Sequence, residues 1–272
     1  MKLSRYSGAG NTFWITDGEV SAKELCQDGT DGVILLRPSL VANYRMEYYN
    51  ADDSPADLCG NGLRCLARFI EERGDPSPTQ TIETPAGILT TRLVGALVET
   101  SMPRPERIKE VLGGTLIRVG VPHLVLVVEE VEGVDVAAEG RRLRHHPELG
   151  PEGANINWVE ITGPKSLKIR TYERGVEGET LACGTGAMAA AYRVGGAVEV
   201  TTRSGDRLWV DPIGPSVTGP ALSLFSGTLP PLPSTMRQSV TPPGAHGQKE
   251  DPPKPPDPPR PPPNGCFRQI GR

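Results

Sequence analysis

The sequence predicts an α+β protein built from two similar lobes, and three observations support this fold class. Short alternating or β-branched stretches bounded by glycine or proline dominate the chain, which is typical of strands. Only two segments have the composition of clear helices. Each of them follows a tract in which a cysteine precedes a glycine-flanked turn, with one such tract in each half. We therefore expect two related units with a cleft between them, which is a common position for a site.

The strand signals occur in both halves and in a similar order. Gly95-Ala96 separates residues 87–94 from residues 97–99, and this spacing favours a hairpin. The other stretches with strand composition are residues 80–87, 99–102, 116–119, 124–128, 155–161, 166–172 and 198–205. Strands, a cysteine turn, a helix and returning strands follow one another in each half, which indicates a weak internal repeat.

Both helices are predicted from apolar residues. In residues 63–73, an apolar side chain recurs every three to four positions from Leu63 to Ile70, and Gly74 ends the pattern. Residues 187–193 are rich in alanine and almost wholly apolar, so we expect a buried helix there.

Composition divides the chain into three parts. Gly113-Gly114 interrupts the strand pattern, which predicts an N-terminal lobe over residues 1–112 and a C-terminal lobe over residues 113–228. Half of the 28 prolines lie in residues 229–272. Such a segment cannot bury enough apolar surface to order itself, so we expect a disordered tail.

Charge, hydropathy and cysteine usage argue against several classes of protein. The net charge of −4 argues against nucleic acid or an anionic membrane as a partner. No apolar run approaches the roughly 18 residues of a membrane span, and no signal-sequence pattern follows Met1, so we expect a cytoplasmic protein. Five cysteines without paired spacing favour free thiols in a reducing compartment.

The two tracts Cys59-Gly-Asn-Gly62 and Cys183-Gly-Thr-Gly186 carry most of the functional information. A thiol at a helix N-terminus lies beside free N–H groups, so we expect its pKa to fall below about 8.5. The glycines let those N–H groups approach a bound carboxylate. Two opposed thiols can remove a proton from one face of a carbon and return one to the other face. This inverts the carbon with no metal or organic cofactor.

Two other interpretations of these tracts are weaker. The sequence from Gly184 to Ala189 fits a relaxed dinucleotide fingerprint, but no strand–helix–strand unit surrounds it. A zinc site is conceivable, but no pair among its candidate ligands has the usual spacing: Cys59, Cys65, Cys183 and His123. Cys65 is more simply explained as a small buried hydrophobic residue.

Two further places suggest binding. His123 precedes an apolar strand, where a site residue and a histidine merely held by backbone hydrogen bonds are equally consistent with the sequence. Glu173 and Arg174 end a predicted strand ten residues before Cys183, and they could hold the ammonium and carboxylate groups of an amino acid. An isolated pair of this kind would otherwise be a surface ion pair of little energetic value.

Taken together, these motifs resemble the diaminopimelate epimerase family. Members are cofactor-independent enzymes that interconvert LL- and meso-diaminopimelate for lysine and peptidoglycan synthesis. The resemblance runs from Met1 to about Leu229 and rests on six tracts: Ser7 to Asn11, Asn50 to Cys65, Glu83 to Gly87, Gly120 to His123, Ala154-Asn155-Ile, and Tyr172 through Gly186.

The resemblance implies that Cys59 and Cys183 are the acid/base pair, each acting as base for one stereoisomer, with no cofactor and no metal. It implies that the substrate contacts Asn11, Asn50, Gly60, Asn61, His123, Asn155, Glu173, Arg174, Gly184 and Thr185. Among these, the backbone amides of Gly60-Asn61 and Gly184-Thr185 would hold the α-carboxylate. The resemblance also implies a homodimer whose lobes are each a β-barrel-like sheet around a central helix.

Departures from the family pattern leave the substrate range open. Val121 stands where many members have asparagine, and Thr12 replaces a frequent aspartate. The first alternative is therefore a broader amino-acid racemase on the same scaffold. Asn50, Asn155 and Arg174 favour the epimerase, because a short amino acid has nothing for them to hold. An alternative of another class is a non-catalytic amino-acid-binding protein, which would need neither cysteine.

Overall fold

A computed structural model describes residues 3–56, 58–75 and 77–227 of the protein. The strands of these residues are β1 (Leu3–Gly8), β2 (Asn11–Thr16), β3 (Gly32–Arg37), β4 (Tyr44–Asn50), β5 (Pro55–Ala56), β6 (Thr79–Thr84), β7 (Gly87–Val94), β8 (Leu97–Ser101), β9 (Glu106–Val111), β10 (Gly114–Val119), β11 (Val121–Val128), β12 (Asn155–Gly163), β13 (Ser166–Glu173), β14 (Gly178–Thr180), β15 (Val198–Thr201), β16 (Arg207–Asp211), β17 (Ser216–Pro220) and β18 (Leu222–Gly227). The helices are α1 (Ala22–Leu25), α2 (Gly60–Glu72), α3 (Val136–Arg144) and α4 (Gly184–Val194). The tail predicted over residues 229–272 lies outside the described residues.

The strands join in one large mixed sheet with few helices, as the predicted α+β class requires. Within the described residues, none of the helices is long and apolar enough to cross a bilayer.

Strand pairing follows the same order twice. In the first series β1–β2 is antiparallel, β2–β3 parallel, β3–β4 antiparallel and β4–β6 parallel, and β6, β7 and β8 follow as antiparallel neighbours. In the second series β10–β11, β11–β12, β12–β13 and β13–β15 repeat those directions, and β15, β16 and β17 follow. Helix α2 lies in the parallel crossover from β4 to β6, and α4 lies in the crossover from β13 to β15.

Antiparallel pairing joins the two series through β8 and β17. The outer strand of the first series comes from a distant part of the chain, because β18 pairs with β1, whereas the outer strand of the second series is β9, which directly precedes its partner β10. Strand β9 precedes the predicted boundary at residue 112 and yet pairs with the second series. The division of the chain into two lobes stays a prediction.

The two predicted helices are present and begin earlier than their apolar patterns do. Both start at the glycine that follows a cysteine, because that cysteine is the N-cap residue. Helix α2 packs its apolar side chains against β1, β2 and β8 in one buried cluster. Helix α4 contributes alanines and Met188 to a second cluster with β10, β11 and β16. Because alanine side chains are short, the strands approach this helix closely.

Helix α3 was not predicted, because its apolar residues are few and three arginines near its end give the segment the composition of a solvent-exposed stretch. Val136, Gly140 and Leu143 form that face. A Cβ atom on Gly140 would lie 2.3 Å from the ring of Tyr172, so only glycine lets this helix meet β13. Asp135 caps the helix by accepting a hydrogen bond from the N–H of Ala138.

Candidate active site

The two cysteines of the predicted pair occupy the same position on two helices. Cys59 is the N-cap of α2 with φ −129° and ψ 106°, and Cys183 is the N-cap of α4 with φ −127° and ψ 109°. The first main-chain bonds of the helices run from Leu63 N–H to the Cys59 carbonyl and from Ala187 N–H to the Cys183 carbonyl. The N–H groups before them have no partner within their helix, as a bound carboxylate requires.

The structure brings the two N-termini close together around Met102. The sulfur atom of Met102 lies 3.9 Å from the position of a Cβ on Gly60, and its methyl carbon lies 4.0 Å from a Cβ on Gly184. A direct hydrogen bond also crosses between the tracts, because the Asn61 side-chain amide donates to the carbonyl of Ala182 over 3.3 Å. The Met102 side chain therefore lies beside both turns, and the thiols are close enough for Cys59 to act electrostatically on Cys183.

Each thiol contacts its own turn. The Gly62 N–H donates to Cys59 Sγ over 3.4 Å, and the Thr185 hydroxyl lies 3.4 Å from Cys183 Sγ. Cys183 is buried and Cys59 is partly exposed. All four cysteines of the described residues are free.

The expected fall in thiol pKa does not occur at either cysteine. Burial raises the pKa of Cys59 to about 11 and that of Cys183 to about 12. The hydrogen bonds from the turn act in the expected direction, but removal of the thiolate from water outweighs them. Our prediction from the helix N-terminus was wrong because it left out burial.

Glu173 faces both thiols. Its charge raises the pKa of Cys59 and of Cys183. Burial raises the pKa of the Glu173 carboxyl itself, which favours its neutral form. Glu173 therefore interacts electrostatically with both cysteines. Its predicted contact with a substrate stays a prediction.

A second group of predicted residues lies at the parallel edge of β11 and β12. His123 is fully buried and stands opposite Asn155 in the strand register. The Asn155 side-chain oxygen accepts a hydrogen bond from the Arg174 N–H over 2.6 Å. The ring nitrogens of His123 lie 3.5 Å from the Asn155 amide and 3.3 Å from the Asn157 amide. Side chains, not the backbone, hold this histidine.

Asn11 and Asn50 have different settings. The Asn11 side-chain oxygen accepts a hydrogen bond from the Asn61 amide over 2.8 Å, which attaches Asn11 to the N-terminus of α2. Asn50 ends β4, and its amide donates to the Ser54 hydroxyl over 3.0 Å. Within the described residues, the side-chain hydrogen bond of Asn50 is local and does not join it to either cysteine turn.

Sequence reasoning missed three residues of the site: Arg64, Met102 and Asn157. Asn157 donates to the carbonyl of Leu124, and its side-chain oxygen accepts from the Thr171 hydroxyl. Arg64 lies in α2, is fully buried, and donates to the Gly60 carbonyl and the Asn61 side-chain oxygen in the first turn. A polar residue inside an otherwise apolar strand was the only available signal, and it applies to Asn157 alone. Within the described residues, no three His, Cys, Asp or Glu side chains come together as a metal site.

Solved structures of other proteins have the same fold as this chain. A phenazine biosynthesis protein of the PhzF family from Bacillus anthracis has a TM-score of 0.64 at 16% identity and covers 84% of this chain and 99% of its own. A hydroxyproline epimerase from Agrobacterium vitis has a TM-score of 0.58 at 15% identity, with 84% and 91% covered. The chain has the fold that these proteins share.

Comparison of the amino-acid sequence identifies the family more specifically than the shared fold does. The model of the family described as "Diaminopimelate epimerase" matches residues 12–103 and 115–210. A diaminopimelate epimerase from Aquifex aeolicus is 43% identical over 250 residues, covering 78% of this chain and 90% of that protein. Another from Chlorobaculum tepidum is 37% identical over 256 residues, with 82% and 99% covered. The chain belongs to the diaminopimelate epimerase family.

Proposed function

We propose that this protein interconverts LL- and meso-diaminopimelate by removing a proton from one face of the α-carbon and delivering another proton to the opposite face. The observation that carries the proposal is the matched pair of N-cap cysteines on either side of Met102. Neither a metal nor an organic cofactor has a role in this reaction, because the two sulfur atoms supply both the base and the acid.

In the proposed reaction, the thiolate of one cysteine removes the α-proton while the thiol of the other donates a proton to the opposite face. The electron pair of the broken C–H bond is held on the α-carboxylate as enolate-like charge. The N–H groups of Gly60-Asn61 and Gly184-Thr185 support this role, because they precede the first main-chain hydrogen bonds of the two helices and can donate to that charge as it develops. The reverse reaction exchanges the roles of Cys59 and Cys183.

The rest of the substrate would contact the polar residues around the two turns. Glu173 offers a carboxyl group beside both thiols, and Asn155 fixes the backbone of Arg174. Asn11 is attached to α2 through Asn61. We assign Asn50 and His123 to the site on the family resemblance. The buried position of His123 favours an indirect role through Asn155.

Substitution of each cysteine tests the mechanism. We expect Cys59→Ala and Cys183→Ala each to abolish epimerisation while leaving the fold intact, because a methyl group can neither accept nor donate a proton. Cys59→Ser and Cys183→Ser should retain residual proton exchange. Circular dichroism supplies the control for folding. Full turnover by either alanine variant would exclude the mechanism and would favour a binding protein.

Hydrogen exchange tests the substrate. In D2O, the enzyme should incorporate deuterium at the α-carbon of LL-diaminopimelate and of no short amino acid. Val121 and Thr12 depart from the family pattern, so glutamate and alanine are the informative comparisons. Exchange on several amino acids at similar rates would support the broader racemase instead.

We also propose that each strand series and its helix form one lobe, with the site in the cleft between the lobes. The repeated order of strand pairing supports this division.

A cytoplasmic homodimer is proposed on the family resemblance. The exposed apolar side chains of β18, Leu222, Leu224 and Phe225, support a subunit contact. Light scattering in solution tests the dimer, and a monomer at every concentration would contradict it.

A further inference from the structure

Arg64 is a charged side chain that the proposed reaction has not used. It lies in the second turn of α2 and is fully buried, the largest side chain of the described residues with that property. Charged residues are almost never fully buried unless a partner of opposite charge accompanies them. A fully buried guanidinium such as that of Arg64 therefore requires neighbouring groups that compensate its charge.

The hydrogen-bond partners of Arg64 are all neutral. Its guanidinium donates to the Asn61 side-chain oxygen over 2.7 Å, to the Pro220 carbonyl over 3.3 Å and to the Gly60 carbonyl over 3.4 Å. Across residues 3–56, 58–75 and 77–227, Arg64 forms no ion pair with a carboxylate. Burial lowers the pKa of the guanidinium, and the partial opposing contributions come from Cys65, Cys59 and Asp206.

The fold makes room for this guanidinium. A Cβ on Gly219 of β17 would lie 3.1 Å from Arg64 Nε and 3.3 Å from Cζ, so glycine at this position leaves the space that the charge occupies. The contacts also lead towards the site. Arg64 holds Asn61, and Asn61 in turn donates to Asn11 and to the carbonyl before Cys183.

Helix α4 has no such charge. Arg64 lies five residues after Cys59, and the residue five positions after Cys183 is Met188, which is buried in an apolar cluster. The matched turns therefore differ by one buried positive charge.

We propose that Arg64 is a positioning residue whose buried charge holds anions at the N-terminus of α2, namely the Cys59 thiolate and the α-carboxylate of the substrate. It acts through Asn61 and Gly60 and touches neither the α-carbon nor the proton that moves. Burial and the charge of Glu173 raise the pKa of Cys59, whereas the charge of Arg64 lowers it. Cys65 and Asp206 also face the guanidinium electrostatically. This inference rests on the proposed function for its substrate and on the structure alone for the thiolate.

The experiment compares Arg64→Met, which copies α4, with Arg64→Lys, which keeps the charge. The first measurement is the alkylation rate of each thiol by iodoacetamide as a function of pH, with Cys59 and Cys183 separated by peptide mass spectrometry. In Arg64→Met we expect about tenfold slower alkylation of Cys59, which corresponds to one pKa unit. Cys183 should keep its rate, and Arg64→Lys should restore most of the rate at Cys59. Met188→Leu is the matched control and should change neither thiol.

The second measurement is epimerisation of diaminopimelate. We expect kcat/KM of Arg64→Met to fall by on the order of a hundredfold, with KM carrying part of the loss and with partial rescue in Arg64→Lys. Equal slowing of both thiols, or an unchanged Cys59 with unchanged kcat/KM, would overturn the proposal. If the wild-type protein does not epimerise diaminopimelate, the proposed function fails, while the alkylation of Cys59 still decides the role of Arg64. If Arg64→Met does not fold by circular dichroism, Arg64→Gln takes its place, because it removes the charge and keeps a hydrogen-bond donor. Slower alkylation of Cys59 alone in Arg64→Gln supports the proposal, and an unchanged Cys59 or equal slowing of both thiols overturns it.

Discussion

Beneath the first turn of α2 lies an isoleucine, and beneath the first turn of α4 lies an asparagine. A Cβ on Gly62 would lie 2.7 Å from Ile34 Cδ1, whereas a Cβ on Gly186 would lie 2.4 Å from Asn157 Oδ1. Ile34 is the third residue of β3 and Asn157 is the third residue of β12. These strands hold matching places in the two series, so the two residues are counterparts.

Their neighbours differ in the same way. In the parallel pair β2–β3, Phe13 stands opposite Gly32, and in the parallel pair β11–β12, His123 stands opposite Asn155. The ring of Tyr48 packs edge-on against Phe13, with centroids 5.8 Å apart. The α2 side is therefore aromatic and aliphatic where the α4 side is an amide and imidazole network.

The comparison shows that backbone and polarity are specified separately. Repeated strand pairing and N-caps place Cys59 and Cys183 in equivalent positions, whereas the residues beneath them are free to differ. An amino acid presents different groups on the two sides of its α-carbon, so a site for it has no need of chemical symmetry. Here the network on the α4 side orients the Arg174 backbone through Asn155, and a fully buried cation, Arg64, lies on the α2 side.

Exchange of the two counterparts is the strongest test of this difference. Ile34→Asn buries an amide among apolar side chains and removes a fully buried aliphatic group, so we expect a loss of about 4 kcal/mol in the free energy of unfolding. Asn157→Ile leaves the hydroxyl of Thr171 and the ring of His123 with fewer partners, at a cost of about 2 kcal/mol. Urea denaturation measures both. Equal losses would show that the two surroundings do not differ in polarity.

Acid sensitivity of His123 is the next effect in size. Burial lowers the pKa of His123 to about 3, and the charge of Arg174 acts in the same direction. The unfolded chain therefore takes up this proton first, at about pH 6.5, and stability is lost as the pH falls from there towards 3. Between pH 6.5 and pH 4, the histidine should remove about 3 kcal/mol from the free energy of unfolding.

The control for this prediction is His123→Gln, which cannot titrate. The pKa values of the Asp17 and Asp28 carboxyls are lowered in the folded protein, so protonation of these groups also decreases the free energy of unfolding as the pH falls. This decrease is the same in the wild-type protein and in His123→Gln. The difference between the two pH profiles therefore belongs to His123. Parallel profiles would mean that this ring is not buried in its neutral form.

Local signals explain what the sequence could predict. The two cysteine-glycine turns, the apolar stripe of α2 and the alanines of α4 are each contained in a dozen residues, so helix positions and N-caps could be predicted. Helix α3 could not, because Gly140 is suited to a helix only when the ring of Tyr172 lies against it. The family resemblance supplied the candidate residues, but it said nothing of their packing.

Properties set by tertiary burial were beyond sequence reasoning. The direction of the thiol pKa shifts depends on how much water reaches Cys59 and Cys183, and no local pattern records this. Arg64 likewise has the composition of an exposed helical residue. Its burial follows from Gly219, which is 155 positions later in the chain.

The smallest expected effect is the difference in stability loss between alanine substitutions at Gly62 and at Gly186, the second glycine of each turn. In Gly62→Ala, the new methyl group meets the end of the flexible Ile34 side chain, and the gain in helix propensity offsets the contact, so the stability should change by less than about 1 kcal/mol. In Gly186→Ala, the methyl group meets the Asn157 oxygen, which the Thr171 hydroxyl holds at 3.0 Å, so we expect a loss of about 2 kcal/mol. Thermal denaturation of both variants measures the difference.

A larger loss in Gly62→Ala would mean that the apolar side is the more rigid of the two. Asn157→Ala combined with Gly186→Ala should recover part of the loss, because the oxygen that the methyl group meets is then absent.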